Sequence, residues 1–107
     1  MNTFTEISPE QAWQKIENNT AIIVDTRDNI HYEQSHPKTA FHLTNKSYGQ
    51  FLDNYDYDQH IMVLCYHGIS SRNTAQFLVE QGFDNVYSIT GGFEAWQKAT
   101  LPTETRC

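Results

Sequence analysis

The chain is short of several things. Only two of its 107 residues are cysteine, Cys65 and Cys107. Two cysteines make no disulfide framework, although a Cys65–Cys107 bridge is open to them, and no Cys-x-x-Cys pair offers a dithiol redox centre. The histidines, His31, His36, His42 and His60 among them, show no metal-ligand spacing, so no metal is expected. Positive charge is scarce: seven Lys and Arg stand against thirteen Asp and Glu, a net charge of -6. That argues against nucleic acid as a main partner, because phosphate recognition needs a basic face. Long apolar runs are missing too. The longest, from Ile61 to Tyr66, is far below the ~20 residues a membrane helix needs. Residues Met1 to Glu6 carry no basic region followed by an apolar stretch, so neither a signal peptide nor a membrane span is expected. The expected setting is the cytoplasm, whose reducing conditions suit a free thiol.

What is present is enough for a core. A chain of this length buries somewhat over ~60% of the surface its unfolded form exposes. Hydrophobic residues make up 38% and charged residues 19%, the balance of a globular chain. With no repeat, linker or low-complexity stretch, residues 1–107 read as one domain, its core from about 4 to 101 and a short C-terminal tail after it.

The patterning alternates between strand and helix. Ser8-Pro9-Glu10-Gln11 is a helix start, with Ser8 as N-cap, Pro9 in the first turn and Gln11 placed for a capping box. Ala12, Trp13 and Ile16 mark its inner face, and Asn18-Asn19 end it. Ala21–Val24 is a short continuous apolar run, hence a strand buried on both faces. A short helix is expected from about Asp28 to Gln34, with Ile30 competing with Tyr32 or Glu33 for the inside, and His36-Pro37 breaking it. Ala40–Leu43 reads as a strand and Ser47–Asn54 as a helix. Ile61–Leu64 is a second buried strand. The best helix runs from Ser71 to Gln81, packed through Ala75, Leu78, Val79 and Phe77 and stopped by Gly82. Val86–Ile89 is a third core strand, Gly91-Gly92 a turn, and Phe93 to Lys98 a last helix with Phe93 and Trp96 inward. Such a chain predicts an α/β fold, a mostly parallel sheet with helices on both faces. Its ligand site is expected beyond the carboxyl ends of the strands, where Asp25 and Cys65 stand.

Cys65 is the residue with chemistry to offer. It follows the strand Ile61–Leu64 and precedes the short loop Tyr66-His67-Gly68-Ile69-Ser70-Ser71, after which a helix begins with Arg72 in its first turn. Backbone N–H groups of such a loop, and the positive end of the helix, face the sulfur. They lower the thiol pKa below its free value of about 8.5 and cradle an anion as well. The alternative is a buried structural cysteine at a strand end. Gly68 lets the loop turn tightly. Ser70 either donates to the sulfur or caps the helix, with capping the role expected of Ser71. Arg72 either attracts an anion or is a solvated helix position. A thiolate already held by N–H groups needs no base, so His67 reads as a solvent-facing loop histidine. Asp25 and Arg27 are expected to fix loops near the site, His36 and His42 to be hydrogen-bonded structural histidines, and Phe41, Tyr48, Phe51, Tyr55 and Tyr57 to serve packing.

Four segments in register resemble the rhodanese family. They are Val24-Asp25-Thr26-Arg27-Asp28, the His36 segment, the Cys65 loop, and Gly91-Gly92-Phe93-Glu94-Ala95-Trp96. The similarity spans roughly Phe4 to Leu101, and Ala40-Phe41-His42-Leu43-Thr44-Asn45 and Cys65-Tyr66-His67-Gly68 bring it nearest to single-domain bacterial thiosulfate sulfurtransferases. The resemblance implies a rhodanese-like fold and a double displacement. Cys65 would take the outer sulfur of thiosulfate as a persulfide, release sulfite, and hand the sulfur to a thiophilic acceptor. Cyanide serves in assays; a thioredoxin-like dithiol protein is the more physiological acceptor. No cofactor is implied. Residues Tyr66, His67, Gly68, Ile69, Ser70, Ser71 and Arg72 would bind the substrate. Many rhodanese loops carry arginine where this chain has Tyr66 or Ser70, so a weak hold on thiosulfate is expected here, and Ser35-His36-Pro37 replaces the usual Gly-His-Ile. Two other functions fit parts of the pattern. A sulfur-carrier or binding module would load without turning over. A cysteine phosphatase of this fold would need arginine six residues after the cysteine, where Ser71 stands.

Overall fold

A computed structural model describes residues 3–105. Five parallel strands form the main sheet in the order β1-β6-β5-β2-β4. In chain order these are β1 (Thr5–Ile7), β2 (Ala21–Asp25), β4 (Phe41–His42), β5 (His60–Leu64) and β6 (Asn85–Ile89). A two-stranded antiparallel ribbon, β3 (His36–Pro37) with β7 (Thr103–Glu104), stands apart from it. The helices are α1 (Pro9–Glu17), α2 (Asn29–Gln34), α3 (Tyr48–Asn54), α4 (Ser70–Glu80) and α5 (Gly92–Lys98).

The two central strands explain the layering. Alternate residues of a strand point to opposite faces, and here both faces are apolar. Ala21, Ile23, Met62 and Leu64 join Ala12, Ile16, Tyr32, Phe93 and Trp96 in one core, beneath α1, α2 and α5. Val24, Ile61 and Val63 join Phe51, Ala75, Leu78, Val79 and Phe83 in the other, beneath α3 and α4. Each large apolar side chain fully buried in these layers contributes about 1.5–3 kcal/mol relative to exposure. Phe51 centres an aromatic group with Phe41, Tyr48, Tyr55 and Phe83 at centroid distances of 5.2–6.4 Å.

Local signals hold at four helix ends. Ser8 Oγ accepts the Gln11 N–H at 3.1 Å, and Asp28 caps α2 through the His31 N–H at 2.9 Å. Asn19 takes the left-handed conformation, φ 61°, directly after the first helix. Gly82, with φ 114°, follows the end of α4.

Several elements differ from the sequence reading. On α2, Tyr32 takes the inside and Ile30 is 68% exposed, because a six-residue helix buries only one narrow stripe. Phe77, expected in the packed face of α4, is 45% exposed and lies against Tyr48 at 5.6 Å. His36-Pro37 does end α2, but it also forms β3. The stretch read as a tail supplies its partner: Thr103 and Glu104 form β7, and the Lys38 N–H donates to the Pro102 carbonyl at 3.1 Å. The short edge strand β1 was not expected at all. Cys107 lies outside the described residues. Among those described, no helix is long and apolar enough to cross a membrane.

Candidate functional site

The sheet order reverses between β2 and β5. From β2 the chain moves out to β4 on one side, and from β5 to β6 on the other. Ligands of open α/β sheets sit at such a reversal, outside the carboxyl ends of the strands. Two loops meet there, one after Asp25 and one after Leu64. They are tied together by Thr26, whose N–H and hydroxyl both donate to the Leu64 carbonyl, at 2.9 and 3.0 Å.

Cys65 opens the second loop and is 3% exposed. Its Sγ accepts the Gly68 N–H at 3.1 Å and the Ser71 N–H at 3.2 Å. The second of these amides belongs to the first turn of α4, so the positive helix end adds to them. Burial pushes the thiol pKa up. Hydrogen bonding by the Ser70 and Ser71 hydroxyls and by the Ser71 and Gly68 amides outweighs it, and the pKa lies below its ordinary value. Each hydrogen bond to a charged group is worth about 1.5–3 kcal/mol, so several together offset the cost of burial.

The loop keeps its amides inward because its carbonyls are held from behind. The Phe93 N–H donates to the Cys65 carbonyl at 2.7 Å and the Glu94 N–H to the Tyr66 carbonyl at 3.1 Å. These amides belong to the first turn of α5. The approach is close enough that two glycines are required. A Cβ on Gly92 would collide with the Cys65 and Tyr66 backbone, and one on Gly68 would come within 2.6 Å of the Gly91 nitrogen. Both glycines also have positive φ, 61° and 83°. The Gly91-Gly92 turn is thus the floor on which the Cys65 loop rests.

The other expected residues fall into place unevenly. Ser71 is not a cap. The N-cap position of α4 is Ile69, with no side-chain cap, and Ser71 is buried in the first turn with its hydroxyl 2.8 Å from that of Ser88 on β6. The reason is that the chain enters α4 one residue earlier than expected, turning Ser71 toward the sheet. Ile69 and Ser70 are exposed, Ile69 by 67%, and of its two expected roles Ser70 takes the first, its hydroxyl hydrogen-bonding to the Cys65 sulfur. His67 is solvent-facing, with Nδ1 3.9 Å from Glu94. Tyr66 lies edge-on to His31 at 4.7 Å and 5.4 Å from the Arg27 guanidinium, and its hydroxyl is buried without a partner. Arg72 is half-exposed and paired with Glu6 of β1 at 3.3 Å. The structure therefore gathers Gly68, Ser70 and Ser71 at the sulfur and commits the Arg72 charge to β1.

The Asp25 loop is charged and closed. Arg27 donates to both carboxylate oxygens of the fully buried Asp25 through Nε and Nη2, at 2.8–3.1 Å, and the same Nη2 also donates to the Ser35 carbonyl. The same guanidinium lies 3.9 Å from the Phe93 ring centroid. Next to it, Tyr32 is stacked between His36 and His42 at 4.0 and 4.2 Å. His36 Nδ1 bonds to the Tyr32 carbonyl and His42 Nε2 to that of Arg27. A cleft of about 300 Å³ lined by Arg27, His31, Tyr66, Phe93 and Glu94 opens on this side. A wider one of about 560 Å³, lined by Thr26, Asn45, Tyr48 and Phe77, opens against α4. Among the described residues no group of His, Cys, Asp and Glu could hold a metal ion.

Comparison with known proteins gives a consistent picture. The rhodanese-like domain family matches residues 8–99. The chain is 64% identical over 103 residues to the thiosulfate sulfurtransferase GlpE of Actinobacillus pleuropneumoniae serotype 5b (strain L20), covering 96% of this chain and 95% of that protein. It is 61% identical over 102 residues to the thiosulfate sulfurtransferase GlpE of Glaesserella parasuis serovar 5 (strain SH0165), covering 95% and 94%. Among solved structures, the Alr3790 protein from Anabaena sp. superposes with a TM-score of 0.82 at 20% identity, over 92% of this chain and 81% of that one, a likeness of fold.

Proposed function

Given that the chain belongs to the rhodanese family, we propose that it is a thiosulfate sulfurtransferase with Cys65 as the nucleophile. The observation that carries this is the sulfur held by the Gly68 and Ser71 amides at the carboxyl end of β5. Those donors stabilise a thiolate without a side-chain base, and they remain for the anions that follow.

The Cys65 thiolate attacks the outer sulfur of thiosulfate. A sulfur–sulfur bond forms to Sγ, the bond within thiosulfate breaks, and sulfite leaves with the electron pair. The persulfide's outer sulfur carries negative charge, and the loop amides hold it. A thiophile then attacks that sulfur. Cyanide leaves as thiocyanate, or a thiol takes the sulfur as its own persulfide, and the Cys65 thiolate is regenerated. A thioredoxin-like dithiol protein fits as the physiological acceptor: its second thiol releases the sulfur as sulfide, and Ile69 gives such a partner an apolar contact beside the cysteine. The cytoplasm is the compartment in which this thiol stays reduced. Against a phosphatase stand the position of Ser71 at the sulfur and the pairing of Arg72 with Glu6.

Intact-protein mass after incubation with thiosulfate, and again after cyanide, tests the proposal. A gain of one sulfur on Cys65 that disappears with thiocyanate release is expected. A protein that gains nothing while Cys65 stays alkylatable overturns thiosulfate as the donor, and one that loads without turning over is a carrier.

A further inference from the structure

Each basic side chain around the Cys65 loop is matched by an acid. Arg27 is held by Asp25, His67 faces Glu94, and Arg72 is held by Glu6. The last pair has the most direct bearing on an incoming anion. Arg72 directly follows Ser71, whose N–H is on Sγ, so its backbone stands about 3.8 Å, one Cα step, beyond that donor. The rim of the site is within reach of an arginine side chain rooted there.

Glu6 belongs to neither the loop nor α4. It is the middle residue of β1 and pairs in register with Ser88 on β6. Register partners in a sheet point to the same face, and Ser88 points to α4, where its hydroxyl meets Ser71 at 2.8 Å. Glu6 thus stands one strand outside the serine pair, on the α4 face. Ser71, at the sulfur, meets Ser88 through its hydroxyl, and Glu6, beside Ser88 in register, holds the residue that follows Ser71.

We propose that Glu6 is a positioning residue that sets the affinity for an anionic sulfur donor by competing with that donor for the Arg72 guanidinium. Resting on the sulfurtransferase reading for the donor's identity, Glu6 accounts for an Arg72 charge that is rooted beside the Cys65 loop yet held by β1. Both side chains of the pair are about half exposed. Exposed pairs are weak, so the guanidinium can leave Glu6 for a bound dianion, and each binding event gives up the pair. The Glu6 charge acts on the binding of thiosulfate, not on the chemistry at Sγ, which separates its effect on KM from any effect on kcat.

The test is Glu6→Gln in the wild-type and Arg72→Gln backgrounds. Two readouts are used: steady-state transfer from thiosulfate to cyanide, and protection of Cys65 from iodoacetamide by sulfate, an unreactive dianion. With Arg72 present, Glu6→Gln lowers the KM for thiosulfate and the half-protecting sulfate concentration by about two- to fivefold, with kcat unchanged. In the Arg72→Gln background the same substitution changes either by less than about 1.5-fold. No fall with Arg72 present overturns the proposal. An equal fall in both backgrounds also overturns it, because Glu6 then acts as a distant charge and not through Arg72. A wild-type protein with no thiosulfate turnover defeats the sulfurtransferase reading instead, and the sulfate protection still decides the role of Glu6.

Discussion

The two loops at the centre of the sheet begin alike and end differently. β2 and β5 are neighbours, buried on both faces, and each delivers an acidic group to the same edge: the Asp25 carboxyl and the Cys65 thiol. Asp25 is answered by a cation. Arg27 donates to both its oxygens. Cys65 is answered by dipoles, two backbone amides and a helix end. A buried ion pair gives a fixed corner. Dipoles hold negative charge without neutralising it, so the sulfur stays able to attack and a second anion can take its place among the same donors. The lesson is that what answers a buried acidic group, and not how deeply it lies, decides whether it is locked in place or left open to a second anion.

The comparison can be broken first at the sulfur. Cys65→Ser is expected to abolish sulfur loading in the mass assay while its unfolding free energy stays within about 1 kcal/mol of wild type, since only modest hydrogen bonds change. Asp25→Asn is the converse. It leaves the buried Arg27 charge unpaired, and a loss of about 3–5 kcal/mol in denaturant unfolding is expected. A small loss would mean that the Ser35 carbonyl and the Phe93 ring suffice for Arg27. Gly68→Ala strikes the cradle through its backbone. Its positive φ and the nearness of Gly91 predict about 1–3 kcal/mol of strain, together with slower alkylation of Cys65 at neutral pH. Ser88→Ala is the mildest. Losing the partner of the Ser71 hydroxyl is expected to cost about 1 kcal/mol and to move the pH profile of Cys65 alkylation to higher pH. An unmoved profile would leave the Ser71–Ser88 pair a purely structural bond.

The lowered thiol pKa also gives stability a direction with pH. Between the folded value and the ordinary one, the unfolded chain retains a proton that the folded chain has lost. Stability from this group therefore rises with pH across that window, is fully present above the ordinary thiol value, and is lost as pH falls through the folded value. In Cys65→Ser that contribution is gone, so the difference in stability between the two proteins is expected to grow from neutral to mildly alkaline pH.

Much of this was legible in the chain because it is local. The apolar runs before Asp25 and Cys65 are continuous, and Ser8, Asp28 and Gly82 sit where helix ends call for them. The strand-cysteine-loop-helix order marks Cys65, without any partner, as a sulfur that loop amides face. What was not legible is contact across the sequence. β1 has three residues and exists because β6 offers an edge. β7 needs β3, whose residues look only like a helix break. Gly91-Gly92 reads as a turn, whereas the need for glycine at 92 comes from the Cys65 carbonyl that it touches. Arg72 shows its charge in the sequence but not its partner, which lies more than sixty positions away at Glu6. Ile30 and Phe77 show the reverse error: an apolar residue at helical spacing is not buried when the helix is short or its neighbours leave it uncovered.

The floor beneath the loop has a further consequence for how the protein is made. Synthesis runs from the N-terminus, so β5, Cys65 and the loop leave the ribosome well before Gly92, Phe93 and Glu94. Until those residues arrive, the Cys65 and Tyr66 carbonyls have nothing to hold them and the loop amides have no reason to face the sulfur. The backing of the loop is complete only when the last helix docks. Completion of the cradle is in this sense a late event, built into the order of the chain.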